Sequence, residues 1–480
     1  MDEQLVQSKK GQPTVLIGTS TLHSSFDPVK EAERYIDSLP VKDNVKYFIL
    51  IEPGLSYTVP ALRKIFPGTK VISLHCSSFF KGRGSPDAEW IPGDKSIQSF
   101  LEDQIPDEGI RRVKIIEWRP SQEAYGPQYV SLLQEVTDFL KRGSANSITV
   151  RAFGPRWIRN SLKNLASLDR VLTFTPGNCP VLVCGAGPGL QDTLPVIKRM
   201  RHRGGLFLIA VSSAVMALHA QDIIPDIVIG TDGGNWAKLH FYECSRGNMN
   251  SVYIGAALNA ALPSQCFSKP ILVVSDGSTW QSELLEKSGV PHLRFPQRGT
   301  VTASAIDLAF AMTENKVYVS GIDLAQYDLR NHVKPYAFDM LTGENTNRFK
   351  PYYSQIFKRI KESGNPGALG IYAAWFKQYL ARYPGRIFAL GKNHGVFPAM
   401  DGRELQAAFP EGPLPEFRIV GMNNNPSSPL ETLLGILENE DTGTAVKHEL
   451  GELIRPGRDD SNDSPDLRNS LISIAGSRYR

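Results

Sequence analysis

Short apolar runs of strand length recur along the first quarter of the chain, each separated from the next by a stretch with helical spacing. Pro13 to Gly18 and Tyr47 to Glu52 are such runs, followed by Lys70 to Leu74 and Val113 to Trp118. Between the first two, Pro28 to Leu39 predicts a helix, with Asp27 as N-cap and proline at the first helical position. Ser56 to Phe66 predicts a second helix. Strands alternating with helices imply a parallel sheet with crossover connections. A Rossmann-like doubly wound domain is therefore expected over residues 1–120.

The pattern changes near Tyr125. Tyr129, Leu132, Leu133, Val136 and Leu140 recur at helical spacing, and Trp157, Leu162, Leu165 and Leu168 continue it, so residues 121–175 are expected as a helical connector. The turn-forming Thr175-Pro176-Gly177-Asn178 then opens a second alternating block. Its strands are expected at Pro180 to Cys184, Leu206 to Val211, Ile227 to Gly230, Ser251 to Gly255, Pro270 to Val274 and Lys316 to Ser320. The fold class is thus α/β, with two Rossmann-like doubly wound domains, the second over residues 176–345. Residues 346–455 are expected to be mainly helical, with helices at Tyr352 to Ile360 and Ala373 to Tyr383 and a strand at Arg386 to Leu390. Residues 456–480 are rich in Asp, Ser, Asn, Arg and Pro and are expected as a mobile tail, although Leu471, Ile472 and Ile474 form a small apolar cluster there.

Composition narrows the function classes. A chain of 480 residues with 41% hydrophobic and 21% charged positions is an ordinary globular protein of more than one domain. A net charge of +4 permits an anionic ligand, but no Lys/Arg block with interleaved aromatics points to nucleic acid. Cys76, Cys179, Cys184, Cys244 and Cys266 are odd in number and irregularly spaced, which suits reduced thiols better than disulfides or a zinc site. No apolar leader and no run of about 18 apolar residues is seen, so a cytoplasmic protein without a membrane span is expected. The phosphate-loop, H-E-x-x-H and G-x-S-x-G patterns do not occur, which argues against P-loop kinases, zinc proteases and α/β-hydrolases.

The candidate chemistry gathers at strand ends, where open α/β sheets bind ligands. Cys184-Gly185-Ala186-Gly187-Pro188-Gly189 turns from a strand into a helix, so Gly185, Gly187 and Gly189 would let backbone N–H groups approach a phosphate. The dinucleotide fingerprint is incomplete: its third glycine would fall at Leu190. The next strand ends in Ser212-Ser213 rather than in an acid for a ribose, so a nucleotide other than NAD is expected, with Ser212 beside it. Asp232, in Gly230-Thr231-Asp232-Gly233-Gly234, could bind a ligand hydroxyl or a metal, or close a bland turn. Thr300 and Thr302 precede a helical run, Thr302 being the natural N-cap, and their hydroxyls also suit phosphate. The most informative stretch is Val317 to Leu324, a buried strand running into a polar loop with Asp323, Asn331, His332 and Tyr336. Asp323 and His332 are candidate general bases, and Asn331 and Tyr336 candidate ligand contacts.

These residues resemble a known group. Gly185-Ala186-Gly187-Pro188, Ile224 to Asp232, and Gly321-Ile322-Asp323-Leu324-Ala325 with His332 are similar to the central domain of the Maf (motility-associated factor) proteins, bacterial flagellin glycosyltransferases. The same domain is described as 6-hydroxymethylpterin diphosphokinase MptE-like. Ile51-Glu52-Pro53, and Phe153-Gly154-Pro155-Arg156-Trp157 with Asn160 and Asn164, extend the likeness to roughly residues 13–400. More distantly, Val317 to Asp323 and Tyr336-Ala337-Phe338-Asp339 resemble bacterial sialyltransferases that use CMP-sialic acid. That likeness implies that Tyr336 contacts the CMP phosphate; the second phosphate-binding tyrosine of those enzymes is replaced by Ala325, with Tyr327 nearest to it.

The resemblance implies a glycosyltransferase that moves a nonulosonic acid from a CMP-sugar to Ser or Thr of flagellin, with no metal or further cofactor. The alternatives are a diphosphokinase using ATP and Mg²⁺, held by carboxylates such as Asp232 and Asp323, and a non-catalytic nucleotide-binding module. In the first domain Glu52 stands where a methyltransferase holds a ribose, but Gly18-Thr19-Ser20-Thr21-Leu22 lacks the glycine-rich turn, so that domain reads as scaffold or acceptor recognition.

Overall fold

The computed structural model describes residues 3–40, 45–204, 206–245, 247–295, 299–324, 332–352, 354, 372, 373, 376, 380, 383–391, 396–400, 412–422, 428–455 and 464–476. It divides into two compact units, Met1–Arg151 and Ala152–Arg480.

In the first unit, β1 (Glu3–Gln7), β2 (Pro13–Ile17) and β3 (Ser20–Thr21) form a small antiparallel sheet. The run at Pro13 is therefore a strand, but not of the parallel sheet. Only five residues separate β1 from β2, too few for a crossover, and Gly11 at φ 77° closes them into a hairpin. The parallel sheet consists of β4 (Tyr47–Ile51), β5 (Lys70–Leu74), β6 (Ala88–Trp90) and β7 (Val113–Glu117), in the order β6-β5-β4-β7. Phe48 to Ile51 are all buried, as expected of a strand covered on both faces. The helix Pro28–Asp37 begins as the sequence predicts, with the Asp27 side chain accepting the Lys30 N–H at 3.0 Å.

The expected connector is different. Tyr129 onward lies in a single helix, Pro127–Ala166, but the chain then enters a strand, β8 (Arg170–Thr175), of the second sheet. The partner that makes β8 a strand is β18 (Glu416–Gly421), more than two hundred residues downstream, which no local pattern reveals.

The second unit is built on β9 (Val181–Cys184), β10 (Phe207–Val211), β11 (Ile227–Gly230), β12 (Tyr253–Ala257), β13 (Ile271–Ser275), β14 (Leu293–Arg294), β15 (Val317–Ser320), β16 (Ile387–Leu390) and β17 (Ala399–Met400), together with β8 and β18. The order is β17-β16-β15-β9-β10-β11-β12-β13-β8-β18, with β14 beside β13. Every pairing is parallel except β18 against β8. From β9 the chain steps outward through β10 to β13, then returns to pair β15 on the other side of β9, with Val317 opposite Val181 and Ser320 opposite Cys184. Arg201 clasps β10 to β11: it forks onto Asp226 at 2.8 and 3.0 Å and donates to the Leu206 and Ile224 carbonyls, while Asp226 accepts the Leu208 N–H. That clasp accounts for the Ile224-Pro225-Asp226 motif.

Among the described residues the C-terminal part carries the helices Pro429–Leu437 and Gly443–Ile454, while β17 and β18 were not expected. The helices expected at Tyr352 to Ile360 and Ala373 to Tyr383 fall mostly outside the described residues. The tail expectation needs correction for its described part. Ser464–Ala475 is a helix whose Leu471 and Ala475 are buried, with Arg455 paired to Asp466. Leu467, Leu471 and Ile474 lie four and three apart and form a stripe that packs on the core, whereas the polar composition belongs to the other faces. Among the described residues no helix is long and apolar enough to cross a membrane.

Candidate functional site

In the second unit the strand order reverses between β9 and β15, and the carboxyl ends of strands at such a reversal are where open α/β sheets hold ligands. The two loops leaving these strands interlock. The Gly185 N–H donates to the Ser320 carbonyl and the Gly187 N–H to the Gly321 carbonyl, both at 2.7 Å. The Gly189 N–H donates to Asp323 Oδ2 at 2.8 Å. A β-carbon at Gly187 or Gly189 would overlap the Asp323 carboxylate, and Gly321, at φ 67°, lies against the Gly185 carbonyl. The glycines are therefore required by this loop-to-loop contact. Asp323, 9% exposed, sits at the start of the helix Leu190–Arg203, whose N-cap Gly189 has no side chain to offer. A carboxylate there satisfies an orphan N–H and suits the helix dipole. The position expected for a phosphate on this helix is taken by the Asp323 side chain.

The loop after β15 returns to the glycine turn, the Val333 N–H donating to the Ala186 carbonyl at 2.9 Å. Next to this contact stands a group of four rings. Tyr336 stacks on His332, centroids 4.1 Å apart and planes 7° from parallel. It also meets His240 at 5.3 Å and Phe338 at 5.2 Å, while His240 stacks on Phe338 at 4.5 Å. The Tyr-Ala-Phe-Asp run is a turn closed by its own acid: Asp339 accepts the Tyr336 N–H at 3.1 Å, donates its N–H to the Tyr336 carbonyl and pairs with Lys334. His240 was not singled out in the sequence, lying in the 3-10 segment Asn235–Ser245 with no motif around it. Burial and the charge of His332 lower its pKa to about 4, so its imidazole is neutral at pH 7.

Asp232 closes its own turn, Oδ1 accepting the Gly234 N–H at 2.7 Å and its carbonyl accepting the Ala261 N–H at 2.8 Å. Two asparagines one helical turn apart hold this edge. Asn160 Nδ2 donates to the Gly233 and Asn259 carbonyls at 3.1 and 3.0 Å, and Asn164 Nδ2 to the Leu258 and Ala260 carbonyls, both at 2.8 Å. The carboxyl ends of β11 and β12 are thus tied to one helix face. Ser212, the first residue past β10, is buried beside Gly230. The N-cap of the helix Val301–Met312 is Thr300 rather than Thr302: Gly299, at φ 72°, brings in the chain, and Thr300 Oγ1 accepts the Thr302 N–H at 3.1 Å. Tyr327 and Asn331 lie outside the described residues.

In the first unit Glu52 is fully buried and engaged, accepting the Cys76 and Gly54 N–H groups at 2.5 and 3.2 Å and facing His75 Nδ1 at 3.1 Å. Both of its oxygens are thus engaged within the fold. Burial alone would lower the His75 pKa, but hydrogen bonds and charge from Glu52 and Glu89 outweigh it and raise the value to about 9. A cavity of about 290 Å³ in the second unit, walled by Leu172, Phe174, Leu272, Leu293 and Ala311, is apolar and lies at β8, β13 and β14, away from the ends of β9 and β15.

Comparison with known proteins covers these strand ends. Residues 156–328 match the model of the 6-hydroxymethylpterin diphosphokinase MptE-like family, so the MptE-like resemblance read from the glycine turn and the Gly-Ile-Asp run is borne out. An uncharacterized protein of Treponema pallidum (strain Nichols) is 29% identical over 227 residues, 47% of this chain and 49% of the relative. The chain thus spans about half the length of that curated relative. Among solved structures, the Maf glycosyltransferase from Magnetospirillum magneticum AMB-1 superposes with a TM-score of 0.55 at 12% identity, over 100% of this chain and 87% of that one. At that identity the likeness is one of fold, and it bears out the α/β class.

Proposed function

We propose that this protein is a glycosyltransferase that moves a nonulosonic acid, of the pseudaminic or legionaminic kind, from a CMP carrier to Ser or Thr hydroxyls of flagellin in the cytoplasm. The observation that carries this reading is the reversal of strand order between β9 and β15 with Tyr336 in a ring stack beside the glycine turn. The MptE-like interval spans both strand ends, and the fold is shared with the Maf glycosyltransferase of Magnetospirillum magneticum AMB-1. In this reading the acceptor hydroxyl attacks the sugar's anomeric carbon, the bond from that carbon to the phosphate oxygen breaks, and CMP departs with the electron pair. Tyr336 stabilises the departing phosphate. Asp323 is committed to the Gly189 N–H, so the hydroxyl proton is assigned to His332, ring to ring with Tyr336. The reaction uses no metal. Intact-mass measurement of flagellin from a deletion strain tests it: loss of the glycan mass is expected, and full retention contradicts the proposal.

The description of the matching family favours a second reading, pyrophosphate transfer from ATP to a hydroxymethylpterin. Its Mg²⁺ would rest on Asp232 and Asp323, which here close a turn and cap a helix. CMP binding that persists in EDTA supports the first reading, and ATP consumption coupled to pterin supports the second.

A further inference from the structure

The loops leaving two adjacent strands, β11 and β12, each place one buried polar side-chain atom that is unmatched among the described residues. His240 is 7% exposed, and its Nδ1 has no hydrogen-bond partner there. Asn259 is 5% exposed, and its Oδ1 is likewise unmatched. A buried polar atom left unmet is destabilising, and such atoms mark sites where something else completes the bond. The backbone at Asn259 and the ring of His240 are both held in place. The Asn259 carbonyl is held by Asn160 and its neighbours' carbonyls by Asn164, while His240 is stacked on Phe338 and meets Tyr336. Tyr336 and Phe338, the rings that cover His240, are themselves half-exposed.

The chemistry of the pair selects its ligand. An amide oxygen only accepts, so it repels phosphate and carboxylate oxygens and asks for a hydroxyl or an amide N–H. A neutral imidazole nitrogen can donate to or accept from a hydroxyl or amide and brings no charge to hold an anion. Resting on the glycosyltransferase reading, in which Tyr336 takes the phosphate and the β9–β15 strand ends the nucleoside, the β11–β12 side is left for the transferred sugar.

We propose that His240 and Asn259 are specificity-determining residues that bind the hydroxyl and N-acyl groups of the donor sugar at the carboxyl ends of β11 and β12.

Calorimetric titration of the full-length protein with CMP and with CMP-N-acetylneuraminate tests this in wild type, His240→Phe, His240→Asn and Asn259→Leu. The wild type is expected to bind the CMP-sugar at least tenfold more tightly than CMP. His240→Phe and Asn259→Leu should lose tenfold or more of the CMP-sugar affinity and less than twofold for CMP. His240→Asn, whose amide can replace Nδ1, should keep most of it. Equal losses for CMP and CMP-sugar, no loss for either, or no wild-type gain from the sugar would each overturn the inference. If the wild type binds neither compound, the glycosyltransferase reading itself falls and takes this one with it. Circular dichroism separates misfolding from lost contact. Should Asn259→Leu fail to fold, His240→Phe, which keeps the ring packing, carries the test alone.

Discussion

A carboxylate at a strand end can hold a substrate or a helix, and Asp323 holds a helix. Replacing it with Ala leaves the Gly189 N–H unmet at a buried helix start and should cost about 1–2 kcal/mol in urea unfolding. Gly187→Ala forces a β-carbon into the same carboxylate and should cost about 1–3 kcal/mol, with Asp323→Ala in the same chain relieving part of it. Additive losses in the double variant would contradict the contact. The sequence put the glycine turn and the Gly-Ile-Asp run at strand ends, yet reserved both for a ligand. Hydrogen-bond partners 134 residues apart leave no trace in local spacing, so their engagement with each other was not legible. The same holds for His240, which gains its meaning only from Phe338 and Tyr336 folding against it. Tyr336→Phe, by contrast, tests a residue the sequence did single out. It should leave thermal stability unchanged and weaken CMP binding about tenfold, as expected for loss of one hydrogen bond to a charged group.

Elements were legible where their signal was local. The strands β4, β5, β7, β9, β10, β11 and β15 are apolar-rich runs between turns and lie within a residue or two of the expected bounds. Strands whose identity depends on a distant partner, such as β8 and β18, were missed. Composition misled at the C-terminus, since one apolar stripe outweighs a polar majority once it meets the core. Truncation after Arg455 removes the buried Leu471 and Ala475 and should lower the melting temperature of the second unit, whereas removal of a mobile tail would not.

In the first unit the ends of β4, β5 and β6 are joined through His75, placed between Glu52 and Glu89. Its pKa is about 9 folded, against about 6.5 for an unfolded histidine. The bound proton therefore stabilises the fold fully below pH 6.5, and this contribution is lost as pH rises from 6.5 through 9. His23, buried and lowered to about 4, acts in the other direction: stability falls as pH drops from 6.5 through 4. Hydrogen exchange in the first unit should thus be slowest near pH 6.5 after correction for intrinsic rates. His75→Gln should flatten only the alkaline limb; an unchanged alkaline limb would contradict the assignment.

At the scale of the whole molecule, two parallel sheets each reverse their strand order, one between β4 and β7 and the other between β9 and β15. Topology alone would allow a ligand at either. The chemistry distinguishes them: at the first, Glu52 is consumed by His75 and two backbone N–H groups, while at the second Tyr336, His332 and His240 gather beside the glycine turn. The MptE-like interval, residues 156–328, takes in the ends of β9 and β15 and His240 and stops before His332 and Tyr336. The central claim is that a CMP-sugar binds there. A crystal structure of the full-length protein with CMP tests it most directly. Nucleotide density is expected at the carboxyl ends of β9 and β15, with the phosphate within hydrogen-bonding reach of the Tyr336 hydroxyl. Density at the ends of β4 and β7 instead, or none at saturating CMP, would contradict it.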